Sequence, residues 1–577
     1  MLDKIKEAIT MHEHEKAIQL MKDYLENGNT YTDSLAILEA SVYLETAQLS
    51  NAFHCISEGL KLNPLNYELY FMLGNLYEMQ GILKKAYLCY ENAIYHSKNN
   101  LEDFSFLSSY FESFKTKTNT FVPKVSIVIL TLNNLDYTIQ CLDSIRKYCL
   151  NSSYEIIVVD NGSTDGTKEY LCNQTDITYH FNEKDMGVAG GYNIGIRLSQ
   201  QENDIFLLSS DTIVTENALF TLRMGLYEHE NIGATSASAS SILLQKDTDS
   251  SDTIEKYLSY GFYNNIPGEH VLEQHILLAD FAFLMKRSAY NVIGDFDEQF
   301  FPKLYENNDY CTRMILKDYQ LMLCRNSFVF RLVQQTCPSL ENTSLDTLNK
   351  QRYIEKWNIN PDYSCSCRQE MLDFMDEQDI LRPMNVLEIG CACGATLLGV
   401  KNLFPNASVY GIELDEHTAQ FASHVANVVQ GNIENLDNPF SVSFDYIIIG
   451  DVLEHLVHPE NLLNKIKHWL SPQGILLTSI PNILHHTAII PILMGSFAYS
   501  DAGVLDRTHL RFFTLYNSAK LLENCGYKII NLSRKKTPTS LLTSETLDFI
   551  QQLSKLPNVV DTEQFLTIQY LFKAKPL

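Results

Sequence analysis

Two stretches of this sequence each read as an apolar strand that runs straight into a turn of glycines and acids. They are YEIIVVDNGSTDGT at residues 154–167 and NVLEIGCACGATLL at 385–398. A strand that apolar is buried on both faces, as in a parallel sheet covered by helices. A turn of that composition brings carboxylates and open backbone to the carboxyl rim of the sheet, where α/β folds bind ligands. Each stretch is followed by further strands and helical runs of its own. A chain of 577 residues is therefore expected to hold two α/β domains and room for a third.

The third is helical. Residues 1–115 show no strand pattern. In 66–98, Tyr70, Leu73, Gly74, Tyr77, Gly81, Ala86, Tyr90 and Ala93 put small residues where two helices approach and large ones between them. One period of ~34 residues earlier, Tyr43, Ala52, Ile56, Gly59 and Pro64 fall in register, and Ala17 marks a partial earlier copy. This resembles two to three tetratricopeptide repeats, which bury their faces by stacking. The resemblance implies docking of a protein partner or acceptor; a helical cap or oligomerisation element is the plainer alternative.

Charge and composition narrow the partners. With 70 acids against 44 Lys and Arg, the net charge of −26 disfavours general binding of nucleic acid or anionic membrane. No apolar run approaches the ~18 residues of a membrane span, and the N-terminus lacks an apolar signal core. The expected location is cytoplasmic, extending to the inner face of the inner membrane. The 13 cysteines include no CxxC pair, so reduced thiols are expected and no zinc finger.

In residues 122–357, five segments follow in order: VSIVILTLNN (125–134), the 154–167 stretch, NEKDMGVAGGYNIGI (182–196), DIFLLSSDTIV (204–214) and IGDFDEQFFPKLYENNDYCTR (293–313). Together they resemble the family 2 glycosyltransferases, inverting enzymes of the GT-A fold. The resemblance implies a nucleotide-diphosphate sugar donor and Mg²⁺ or Mn²⁺, since a departing diphosphate needs its charge neutralised. It also implies Asp160 at the base or ribose, Asp211 as the metal ligand, and Glu306 and Asp309 as outer acids supplying the general base. Thr131, Asn133, Gly187, Asn193 and Arg331 complete the expected donor surface. This sequence departs from the family in having Ser209 for the first acid of the metal motif, Asn307 at the usual base position and Arg331 where relatives place a histidine. An arginine there can neutralise diphosphate directly.

Residues 365–577 resemble a class I methyltransferase using S-adenosylmethionine. Glu388, Gly390, Cys391 and Gly394 match its first motif. Glu413, ending the strand in SVYGIELDE (408–416), matches the acid that binds both ribose hydroxyls. Asn432 matches the adenine contact, and Asp451 ends the next strand in FDYIIIGDVLEHL (444–456). His455, and His509 in LDRTHLRFFT (505–514), are candidate bases for an acceptor hydroxyl. The segment around His509 resembles an element of methyltransferases from bacterial surface-glycan loci.

The combined expectation is a bifunctional enzyme. One domain adds a sugar, a deoxyhexose such as rhamnose by family analogy, to a glycan, lipid-linked glycan or protein acceptor such as flagellin. The other methylates a glycan hydroxyl. The alternative is a methyltransferase whose degenerate glycosyltransferase domain and repeats only bind the acceptor.

Overall fold

The computed structural model describes the whole chain except 151–152, 240–253, 333–339, 377–379 and 557–560, with backbone alone at 340–343. The chain divides into two units, Met1–Arg352 and Tyr353–Leu577.

Seven helices open the first unit: α1 (Leu2–Thr10), α2 (His14–Glu26), α3 (Asp33–Glu45), α4 (Leu49–Leu62), α5 (Tyr67–Met79), α6 (Leu83–His96) and α7 (Leu101–Thr118). The starts of α3 and α5, and of α4 and α6, are each 34 residues apart. Glycine sets the helix spacing where the period predicts it. A Cβ on Gly74 would meet the Tyr90 ring at 2.3 Å, and one on Gly59 would meet Ala36 Cβ at 2.7 Å. Tyr90 fills the gap, and its hydroxyl, 2.9 Å from Asn75 Oδ1 and 2.8 Å from Glu78 Oε2, is satisfied at the rim.

The sheet of this unit holds β1 (Val125–Thr131), β2 (Tyr154–Asp160), β3 (Thr178–Phe181), β4 (Asp204–Ser209), β5 (Thr212–Val214), β6 (Ile232–Ala239), β7 (Leu272–His275), β8 (Ala282–Met285) and β9 (Gln320–Arg331). Their order is β3-β2-β1-β4-β8-β6-β9-β5, with β7 on β9. Strands β1 to β4 run parallel; β8 is antiparallel to β4 and to β6. The chain leaves β1 in one direction for β2 and later returns to its other side for β4. A crevice at the carboxyl ends of β1, β2 and β4 follows from that switch.

The helices and this sheet share one core, which runs from Ala36 and Leu69 through Ile127 and Phe206 to Val329. The Tyr70 hydroxyl donates to the Pro64 carbonyl (2.9 Å) and accepts from Asn217 Nδ2 (3.0 Å). Arg223, only 4% exposed, meets Glu91 at 2.5 Å and the Pro123 carbonyl at 3.0 Å.

The second unit has β10 (Met384–Ile389), β11 (Ala407–Glu413), β12 (Asn427–Gln430), β13 (Phe444–Gly450), β14 (Leu470–Pro481), β15 (Tyr527–Lys536) and β16 (Thr567–Pro576). The order is β12-β11-β10-β13-β14-β16-β15, in which β16 alone runs against the rest, antiparallel to both β14 and β15. Its switch point lies between β10 and β13.

Because Arg223 is buried, its partner is needed for more than attraction. Glu91→Ala leaves an uncompensated guanidinium and should cost the first unit about 3 kcal/mol. Urea unfolding will show this as a lower midpoint at unchanged slope.

Candidate active sites at two sheet rims

In the first unit, Asp211 lies in the turn between β4 and β5, and the pairing of β5 with β9 sets Arg331 beside it. Arg331 Nε donates to Asp211 Oδ2 (3.0 Å), and Ser209 Oγ donates to Oδ1 (2.5 Å). The Ser209 amide donates to the Phe281 carbonyl (2.9 Å), which carries Asp280 to the same end of the sheet. Asp280 is exposed to solvent, and desolvation by the protein around it holds its carboxyl above the usual range while Arg331 opposes the shift.

Glu306 is the first residue of the helix Glu306–Ile315. Leu304 (φ 78°) and Tyr305 (φ 74°) hold left-handed backbone just before it, strain of the kind kept at functional sites. Glu306 is 4% exposed and its Oε2 has no hydrogen-bond partner. Burial, with the Asp280 charge adding, pushes its carboxyl up to about 8. Tyr192 is buried, and its phenol is raised by burial and then by the carboxylates of Asp280, Glu306 and Asp211. Thus Asp211, Arg331, Asp280, Glu306 and Tyr192 form one electrostatically coupled group. Asp280 and Tyr192 escape a motif reading: one precedes an ordinary buried strand, and the other sits among glycines that pack the helix Gly187–Leu198 onto the sheet.

Other expected residues are placed differently. Asp309 is fully buried and accepts from Arg313 Nε (2.9 Å), which turns it away from a base's role. Asn307 donates to the Leu278 carbonyl (2.6 Å). Asn193 spends its amide on Phe296 and Glu298, at 2.8 to 3.0 Å, and presents no atom to a donor. Thr131 is buried against Thr138 (2.8 Å). Gly187 is needed for the 301–302 loop, since a Cβ would meet the Pro302 carbonyl oxygen at 2.8 Å. Asp160 accepts from the Ser163 amide (3.0 Å) and hydroxyl, while Asn133 accepts from the Thr164 amide (2.9 Å), so these two shape the rim loop.

In the second unit, Gly390 (φ 75°), Ala392 (φ 48°) and Gly394 (φ 83°) form the turn between β10 and the helix Ala395–Leu403. A Cβ on Gly390 would lie 2.7 Å from Val452. Glu413, ending β11, accepts from the Ala392 amide (2.7 Å) and from the Leu414 and Asp415 amides (2.8 and 3.0 Å). Below the turn, Glu388 is 2% exposed with Oε2 unpartnered, and burial pushes its carboxyl up to about 7 against the pull of Arg368. Cys391 points its thiol into the core against Gly411, so only its backbone reaches the turn. Asn432 is exposed beyond β12 and caps the Glu434 amide (2.9 Å). Asp451 is held by Ser479 Oγ (2.7 Å), Arg368 Nη1 (2.7 Å) and Gln569 Nε2 (2.6 Å). His455, Glu454 and His509 stand together beyond it. Arg368, Tyr363 and Leu414 are further residues of this rim. Tyr363 and Leu414 are exposed large side chains, with Tyr363 under the influence of Arg368, Asp451, Glu454 and Glu413.

Comparison with known proteins finds a family match in each unit. The profile of Glycosyl transferase family 2 matches residues 126–291, and a Methyltransferase domain profile matches 362–532. The chain carries a family 2 glycosyltransferase domain and a methyltransferase domain. Over 200 residues it is 25% identical to an uncharacterized glycosyltransferase of Rickettsia bellii, covering 33% of this chain and 28% of that one. Over 105 residues it is 30% identical to the malonyl-[acyl-carrier protein] O-methyltransferase of Halalkalibacterium halodurans, covering 17% of this chain and 39% of that one. A methyltransferase structure from Archaeoglobus fulgidus aligns at 17% identity with a TM-score of 0.28, covering 39% of this chain and 98% of that one. The chain thus spans less than two fifths of the curated relatives' lengths.

The residues present fit the cofactors of the two families. Gly390 leaves the cradle that a Cβ would fill, and the unpartnered Glu388 oxygen suits the ammonium group of S-adenosylmethionine. In the glycosyltransferase domain, Asp211 offers one carboxylate, enough for Mg²⁺ or Mn²⁺, which takes its remaining ligands from phosphate and water. Glu413→Ala should weaken binding of S-adenosylhomocysteine about 10- to 100-fold, the worth of charge-assisted hydrogen bonds, as read by calorimetric titration.

Proposed function

We propose that the chain transfers a sugar from a nucleotide-diphosphate donor and methylates a glycan hydroxyl. Residues 122–357 would form the first domain and 365–577 the second, with the helices of 1–115 offering an outer face to a protein partner or acceptor. The observation that carries this reading is the gathering of Asp211, Arg331, Asp280, Glu306 and Tyr192 from five separate segments into one electrostatically coupled group.

Asp211 would hold the divalent cation, which would offset the charge of the leaving diphosphate. Arg331 supplies a second, permanent positive charge. Glu306 takes the proton of the acceptor hydroxyl as its oxygen attacks the sugar's anomeric carbon. Asp280 adds to the repulsion that keeps the Glu306 carboxyl basic, and Tyr192 closes the floor. Asp160 and Asn133 order the loop beside the nucleotide. In the methyltransferase domain, Glu413 and Leu414 would hold ribose and adenine, Asn432 would meet the adenine, and Glu388 with the 390–394 turn would hold the methionine end. Asp451, clamped by Arg368, orients the wall facing the methyl group, with alignment and exclusion of water supplying most of the rate. On one chain, the first product meets the second site at raised effective concentration.

The reading that the first domain only binds the acceptor draws on Arg331 occupying Asp211 and on Asn307 being bonded to Leu278. Donor turnover separates the two. With UDP-, GDP- and dTDP-sugars and Mn²⁺, one donor should release nucleotide, and Asp211→Asn should abolish it. Release from no donor, together with intact S-adenosylhomocysteine binding, would favour the binding-only domain.

The pH dependence carries a sign. The Glu306 carboxyl lies near 8 against its ordinary 4.5. Transfer needs it ionised, so kcat/KM should rise through about pH 8 with one proton and fall below it. The same shift makes the folded domain most stable below about 4.5 and less so as pH rises through about 8. Glu306→Gln should lose about 100-fold or more in kcat and flatten the stability change.

A further inference from the structure

The segment after β13 folds as a short turn, Leu453–His455, and a distant segment is clamped on it. The Leu510 and Arg511 amides both donate to the Glu454 carbonyl (2.9 and 3.1 Å), and the Arg511 guanidinium donates to the Val457 carbonyl. This brings His509 and His455 to a ring separation of 4.8 Å. Close to both rings lies the Glu454 side chain, 1% exposed, with neither carboxylate oxygen hydrogen-bonded. His509 Nε2 is 3.9 Å from Glu454 Oε1, and one ligand atom from each of the three residues lies within 4.8 Å of the others.

Both imidazoles are fixed in one tautomer. His509 Nδ1 lies 3.0 Å from the Val504 carbonyl, and His455 Nδ1 lies 3.2 Å from the Thr508 carbonyl. A carbonyl can only accept, so each Nδ1 carries the hydrogen and each Nε2 keeps its lone pair. The Thr508 hydroxyl, 3.1 Å from His455 Nδ1, donates to Asp506 (2.6 Å) and accepts from the ring as well. Hydrogen bonds of this kind orient metal-binding histidines. An unpartnered buried carboxylate costs several kcal/mol unless a cation meets it or it takes up a proton, and burial favours the protonated form of Glu454 while no cation is bound.

From this geometry we infer that Glu454, His455 and His509 bind a divalent transition-metal ion at the acceptor side of the methyltransferase domain. Two imidazoles and one carboxylate select Zn²⁺, Co²⁺, Mn²⁺ or Fe²⁺ over Ca²⁺. Three protein ligands leave positions open for substrate oxygens. The site is distinct from Asp211, and it gives the two histidines a role other than that of base. Resting on the proposed methylation of a hydroxyl, it also narrows the acceptor to one with two adjacent oxygens, such as a sugar diol. Coordination acidifies the hydroxyl. Its proton leaves to water, the O–C bond forms as the sulfonium C–S bond breaks, and S-adenosylhomocysteine departs.

The test is Co²⁺ titration of the full chain after chelator treatment and desalting, followed by visible d–d absorption. One equivalent should give these bands in the wild type and equally in Asp211→Asn. His509→Asn and, at the partly exposed position, His455→Asn should each weaken binding by ~10-fold or more, with S-adenosylhomocysteine binding confirming that each variant is folded. Absence of the bands, their survival in the His455→Asn/His509→Asn double variant, or their loss in Asp211→Asn would overturn the site. Binding is read without turnover, so a chain that binds Co²⁺ as described yet methylates no hydroxyl contradicts the functional reading and leaves the site standing.

Discussion

A parallel strand covered on both faces by helices has no place for a polar side chain until it ends. That constraint governs both units. Strand β1 is buried from Val125 to Ile129 with Ser126 its one polar side chain there, and β13 is buried through Ile447, Ile448 and Ile449. Acids, glycines and amides are displaced to the carboxyl rims, where the order of the strands opens a crevice. What distinguishes the two rims is how their charges are held. In the glycosyltransferase domain an arginine from the last long strand meets the acid of the β4–β5 turn. In the methyltransferase domain the acid ending β11 grips the backbone of the glycine turn ending β10.

Much of the fold was legible in the sequence because strand apolarity and turn composition are local. The strands at 125, 154, 204, 385, 408 and 444, the helical period of 34 residues, and the acids at 211, 306 and 413 were all read from it. What was not legible depends on contacts between distant segments. Asp280 and Tyr192 join the group around Asp211 only through the pairing of β8 with β4 and the packing of a glycine-rich helix. Arg368 lies ahead of the first glycine motif in a stretch with no motif of its own, and it becomes the clamp on Asp451. Conversely, Asn193 and Thr131 sit within motif segments, yet their polar atoms are consumed inside the protein. Spacing cannot tell an amide that faces a ligand from one that ties two loops together.

The helical array shows the same limit. Its repeat pattern suggests a freestanding module, yet one face is spent on the glycosyltransferase domain, through a common core and the buried Arg223–Glu91 pair. A partner docking on the repeats therefore meets only the face that the sheet domain leaves open. Removing the array would uncover Met224, which meets Cys89, and Phe220, which meets the Tyr70 ring, so the array contributes to the stability of the first unit.

The central claim is that one chain holds two separate ligand sites, each built at its own sheet rim. Calorimetric titration tests it most directly. The full chain, with Mn²⁺ present, is titrated with UDP, GDP and dTDP, first alone and then saturated with S-adenosylhomocysteine. One equivalent of S-adenosylhomocysteine and one equivalent of a single nucleoside diphosphate should bind together, with neither displacing the other. Binding of no nucleoside diphosphate, or its displacement by S-adenosylhomocysteine, would contradict the claim.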